Sequence, residues 1–375
     1  MKKLCLIVCF IIFFSCSKNK NEEIYGNWYF ERELDSKKNQ KKSLLRHLDI
    51  EGFNICNDSI IDFKKPFFYT IETKTRFGEI ENTQYNYSSY YLGSKTKYIY
   101  TGNKLIYFNK SINKNDTIIL KKVKDNLIIK LSNEDKKYEF VKRTSNYSNS
   151  TFYDAIIIDR GPCFGDCPIN STYINRNGEY FFKATGHNTV FDGNYTAEIE
   201  KNRIKQIFNI FDKIEFKKLK DVYTYSATDS QTNYITFIKN GKIVKTISSY
   251  IECPIDLKKA LTELSYLYQQ VNINYNQNFI FNEKLMNCSF DDSIKLKDSE
   301  IFFLEILLSK AKDVKLNFNQ KYKLDFFSWG DEKIKSIYTD GRYYQIIYKN
   351  NTSVIKDIGF NFVIANPILK TMRLE

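Results

Sequence analysis

Short apolar and aromatic runs return about every ten residues along most of this chain, separated by Asn-Gly, Asp-Gly and Gly-Asn turn signals. That spacing constrains the fold most. A run of four to eight residues rich in Tyr, Phe, Ile and Thr favours a half-buried strand, and a turn pair that tolerates positive φ folds one strand onto the next. The chain of 375 residues has 28 Tyr, 30 Phe and 2 Trp, but only 14 Gly and 5 Pro. Such aromatic content argues against disorder, and no fixed repeat period marks a solenoid. The expected fold class is therefore mixed β and α+β. It comprises an N-terminal antiparallel β meander or barrel, a central antiparallel sheet with two helices, and a small C-terminal α+β unit.

The first sixteen residues address the compartment. Lys2 and Lys3 precede an apolar run from Leu4 to Phe14, too short to cross a bilayer as a helix but suited to a signal peptide. Ser15-Cys16 ends the run, and a polar stretch from Ser17 to Glu23 follows. The pattern resembles a bacterial lipobox, with Phe13 where Leu is usual. The resemblance implies cleavage before Cys16, acyl chains on that residue as the attachment to a membrane, and an outer-membrane, periplasmic or surface-facing location. The net charge of +13 then falls by two with Lys2 and Lys3. The lysines are spread among acids without an Arg cluster, which points away from nucleic acid and leaves an envelope protein or glycan as the expected partner.

Residues 1–15 are thus read as a lipoprotein signal peptide and 16–23 as a tether. Residues 24–143 carry eight expected strands: Gly26–Arg32, Ser59–Phe63, Pro66–Thr73, Lys97–Thr101, Lys104–Asn109, Thr117–Val123, Leu127–Leu131 and Lys137–Val141. Gly26-Asn27-Trp28 is similar to the Gly-x-Trp opening of lipocalin-like domains, which implies a barrel with the Trp packed across its base. Such a barrel admits a small apolar ligand, although eight strands leave an interior that side chains can fill. The polar stretch 144–151 reads as a linker.

Residues 152–274 give the order β-β-β-α-β-β-α, which argues for an antiparallel sheet with two helices on one face. The helices are expected at Glu198–Lys213, with Thr196 as N-cap, and at Pro254–Gln270. Between the first two strands lies Arg160-Gly-Pro-Cys-Phe-Gly-Asp-Cys-Pro168. This loop resembles the Cys-Phe-Gly-x-Cys-Pro signature of a family of exported bacterial domains of unknown function; the resemblance implies a fold unit and a compartment, and no reaction. Residues 282–375 read as a helix at Asp298–Ala311 followed by five short strands.

Few residues offer chemistry. Cys163 and Cys167 are the probable disulfide, since an exported protein meets an oxidising compartment; a redox-active pair and a metal site are the alternatives. Cys253, at a helix start where a thiol pKa falls, and His187 could complete a zinc tetrad with them. His187 could also pair with Asp166 or Asp229 as a base. Cys56 and Cys288 read as separate thiols. The second histidine is His47. No nucleophile elbow, zincin, P-loop or dinucleotide motif is present. No catalytic residue, metal or cofactor is therefore expected, and the expected role is non-enzymatic binding or scaffolding. Apolar ligand binding in the barrel and thiol/disulfide chemistry at Cys163/Cys167 are the alternatives.

Overall fold

A computed structural model describes residues 22–34, 50–76, 83–132, 136–144, 152–165, 167–185, 189–224, 229–250, 252–281, 284–328 and 333–370. Cys16, His47, Asp166 and His187 lie outside them. The described residues fall into two compact units. One lies within Met1–Phe63, Lys95–Asn109 and Asn113–Thr144, the other within Lys64–Ser94, Lys110–Ile112 and Ser145–Glu375.

The first unit is a closed antiparallel barrel of eight strands. Their order around the barrel is Gly26–Glu33, Lys137–Lys142, Asn126–Leu131, Lys114–Val123, Lys104–Asn109, Lys95–Thr101, Ile60–Phe63 and Gly52–Ile55. Alternation sends one residue in two inward; along Asn126–Leu131 the buried positions are Leu127, Ile129 and Leu131. Aromatic rings fill the interior. Phe53 packs against Phe63 and Phe140, Phe30 meets Phe140 edge-on, and Phe63 lies 4.8 Å from Tyr107. Trp28 is fully buried and donates its indole N–H to the carbonyl of Ile24 at 2.8 Å.

One of the expected barrel strands is replaced by another that was not expected. Pro66–Thr73 is absent from the barrel. The observed strand Phe68–Arg76 instead pairs with Thr83–Tyr91 as a separate two-stranded hairpin in the second unit. The barrel takes Gly52–Ile55 in its stead. That strand is only four residues long, so its alternation was too brief to register, yet Phe53 and Ile55 both point into the core.

The second unit is built on an eight-stranded sheet. Its order is Val222–Tyr223, Lys242–Tyr250, Thr232–Lys239, Ala155–Arg160, Asn170–Asn175, Glu179–Thr185, Asp192–Glu198 and Asn274–Tyr275. All neighbours are antiparallel except Val222–Tyr223. The turn joining Thr232–Lys239 to Lys242–Tyr250 places Asn240 at φ 50° and Gly241 at φ 72°, the double positive φ that a two-residue hairpin of type I′ demands. Helices α1 (Lys201–Asp212) and α2 (Ile255–Ser265) cover one face. Ile156, Ile158, Ile174, Tyr180 and Phe182 meet Phe208, Phe211, Leu257 and Leu264 there. Each such side chain, once buried, contributes roughly 1.5–3 kcal/mol. Thr196 does not cap α1, because it is held in the strand Asp192–Glu198 opposite Phe181; Glu200 takes the cap position.

The opposite face is covered as well. Ala155, Ile157, Tyr173 and Phe181 share one core with helix α3 (Asp298–Lys310) and with a seven-stranded sheet drawn from Leu285 to Asp357. Burial of both faces explains why Ala155–Ile158 is continuously apolar rather than alternating. The Pro254–Ser265 region also receives the hairpin. Lys64 donates to Asp256 at 2.7 Å, Ser94 to Glu263 at 3.1 Å, and the Tyr91 backbone N–H to the Gln269 side chain at 2.7 Å.

Candidate functional site

The strand Ala155–Arg160 alternates Ile156 and Ile158 toward α2, and the same period carries Arg160 to that face at the strand end. The register puts Arg160 opposite Asn170 on one side and Asn233 on the other, with Asn233 opposite Ser249. A polar row thus crosses the end of an otherwise apolar sheet face. Above it α2 contributes Lys258 and Thr262, and the chain after α2 contributes Tyr266. Between them lies a cleft of about 270 Å³, with Cys253 and Gln231 in its wall. Phe68 from the hairpin forms a further wall, 4.9 Å ring to ring from Tyr266.

Arg160 is fixed in this cleft. Its Nε donates to Oε1 of Gln231 at 3.0 Å, and its guanidinium lies 5.1 Å from the centre of the Tyr266 ring. The Gln231 amide is fully used, since its Nε2 donates to the carbonyls of Gly161 at 2.7 Å and Pro168 at 2.9 Å. Those two residues flank the cysteine loop, so Gln231 ties both ends of the loop to the arginine. Within the loop Cys163 and Cys167 stand at disulfide distance, their Cα atoms 5.8 Å apart. Arg160 Nη1 and both amide atoms of Asn170 are buried without a hydrogen-bond partner among the described residues. The described lining includes two cations, Arg160 and Lys258, and no carboxylate.

The other thiols are dispersed. Cys253 is half-buried beside the cleft, Cys56 is exposed, and Cys288 is buried, where desolvation pushes its thiol far above the ordinary range. Cys163 and Cys167 stand at bonding distance from each other, and His187, the fourth member of the zinc alternative, lies outside the described residues. Among the described residues no group of three or more His, Cys, Asp or Glu side chains converges as a metal site would. Asp229 stands at φ 66° and its carbonyl accepts from the Phe164 backbone N–H at 3.3 Å, so its backbone braces the cysteine loop.

Sequence reasoning overlooked Arg160 as a site residue, and with it Gln231, Asn233, Lys258 and Tyr266. One signal was present: a charge falling on the apolar phase of a strand that otherwise carries isoleucine. A second polar cluster lies on the sheet's other face. Lys183 pairs with Glu305 at 2.8 Å, and Lys284 with Asp159 at 2.6 Å, all four nearly inaccessible. Asp298 lies 3.9 Å from Lys284; burial, and then the charge of Asp159, push its carboxyl up to about 7. These groups are enclosed between sheet and α3 and stabilise that packing; the cleft is the better candidate for a ligand.

Neither a curated protein nor a solved structure matches the chain. Residues 154–268 match a family described as a domain of unknown function (DUF6438). The matched region spans the polar row, the cysteine loop and α2, and ends just beyond Tyr266, whereas Phe68 comes from outside it.

Proposed function

We propose that this chain is an envelope lipoprotein, held in the outer membrane by acyl chains on Cys16, whose central domain binds a small ligand in the cleft beside Arg160. The cleft carries this reading. It joins a pinned guanidinium, a polar row and two aromatic walls, the mixture of apolar surface and few oriented polar groups that ligand sites have. The aromatic filling of the barrel interior favours the cleft over the barrel as the binding site. The lipobox-like leader supports the anchor, and the unclustered lysines support an envelope protein or glycan rather than nucleic acid as the wider partner.

The test has two arms. Mass spectrometry of the N-terminal peptide from membrane-purified protein should show acyl chains on Cys16, and Cys16→Ser should release the protein to the soluble fraction. Native mass spectrometry of the released protein with a fraction of small envelope compounds should show an adduct. Thr262→Trp, which fills the cleft, should abolish it. An adduct indifferent to Thr262→Trp would place binding elsewhere, and conversion of the compound to a new mass would make the protein an enzyme. A second reading, thiol chemistry, is favoured by Cys253 lining the cleft. Rapid alkylation of Cys253 that the bound compound suppresses would support it.

A further inference from the structure

The geometry points to an oxyanion, a carboxylate or phosphate borne on a ring or other flat apolar group, as what the cleft binds, with Arg160 as its main contact. This deepens the proposed binding role and rests on it. A guanidinium carries five N–H donors in a rigid fork, and a buried edge of that fork with no acceptor is costly. Here Nε is taken by Gln231, one face of the group is covered by Tyr266, and Nη1 is buried with no partner among the described residues. The fork cannot swing away to find an acceptor, because Gln231 is itself locked between Gly161 and Pro168.

The described walls of the cleft supply no carboxylate to neutralise the guanidinium. Asn233 and Ser249 extend the polar row beside Arg160, and Lys258 lines the same cleft. Carboxylate and phosphate oxygens match an arginine fork, and charge-assisted bonds of this kind are about twice as strong as neutral ones. Beside the charge, Phe68 and Tyr266 line the cleft and offer apolar surface for the rest of the ligand. A cleft of about 270 Å³ holds roughly nine waters at ~30 Å³ each, room for an aryl acid or a single acidic sugar unit.

Four probes test this on the full-length protein by isothermal titration at low and high salt: phenylacetate, phenyl phosphate, and the neutral phenylacetamide and benzyl alcohol. The expected result is saturable binding of one or both anions, at least about ten-fold tighter than the neutral probes and weakened by salt. Whichever anion binds tighter assigns the carboxylate or phosphate source. Arg160→Met should remove that preference, and Arg160→Lys, which keeps the charge without the fork, should restore only part of it. Neutral probes binding as tightly as the anions in the wild-type protein would overturn the oxyanion inference while leaving a binding cleft. No saturable binding by any probe would overturn both. The wild-type comparison requires no variant to fold; for the variants, circular dichroism should match wild type.

Discussion

Replacing Lys183 by methionine is the sharpest test of how the central sheet is held to α3. Lys183 is 1% exposed and its partner Glu305 3% exposed, with 2.8 Å between charge-bearing atoms. Lys183 also reaches the carbonyl of Phe281 at 3.4 Å and lies near the Phe279 ring. Methionine keeps most of the volume, so packing changes little. The loss is electrostatic, because the Glu305 carboxylate loses its 2.8 Å cation in an enclosed site. Breaking a buried pair from one side costs about 3–5 kcal/mol, whereas replacing both partners by apolar residues is often neutral. Lys183→Met should therefore lower unfolding stability by about 3–5 kcal/mol in urea titrations followed by circular dichroism. Adding Glu305→Leu should recover most of it. The deficit of the single variant should shrink as pH falls, because the stranded Glu305 can then take up a proton and become neutral. A deficit below about 1 kcal/mol, or a double variant no better than the single, would refute the view that this pair is held in a low-dielectric interior.

Other outcomes follow from the same geometry. Asp298 releases its proton near pH 7 in the folded protein but near pH 4 in the unfolded chain. The folded state thus binds more protons between those values, and stability falls as pH rises through that window; Asp298→Asn should flatten this slope in urea titrations from pH 4 to 8. Gly178 stands at φ 98°, and a Cβ there would lie 2.5 Å from the carbonyl oxygen of Ile199, so Gly178→Ala should cost more than about 1 kcal/mol by thermal or urea unfolding. Reducing the bond between Cys163 and Cys167 should cost about 2 kcal/mol or less, because a loop this short gains little from closure. It should nevertheless weaken anion binding at Arg160, because Gln231 spans both ends of that loop; titration with and without reductant measures this.

Much of the architecture was legible in local pattern. Lys104–Asn109 begins and ends where turn residues and alternation place it, and α3 ends one residue before its expected limit. The helices α1 and α2 announced themselves through Ile204, Ile207, Phe208 and Phe211, and through Leu257, Leu261 and Leu264. Cys163 and Cys167 were legible as a pair because only three residues separate them in a chain expected to meet an oxidising compartment, and they stand at disulfide distance. The cleft was only half legible. Arg160 on the isoleucine phase of its strand was visible in the sequence, but its partners Gln231, Asn233 and Tyr266 lie more than seventy residues away along the chain.

What the sequence determined by itself is therefore periodic and local: strands, helices and turns. Those features depend on neighbours within a few residues, through side-chain alternation, helical spacing and backbone conformation. Tertiary structure decided which strand closes the barrel, which hairpin leaves it to supply Phe68, and which charges lie face to face inside. Lys183 and Glu305 are 122 residues apart, and nothing in either neighbourhood marks them as a buried pair. Arg160 likewise becomes a site only once α2 and the hairpin wall it in. The fold surrounds a strand-end arginine with aromatic rings and a locked amide, and that enclosure is a property of the folded chain as a whole.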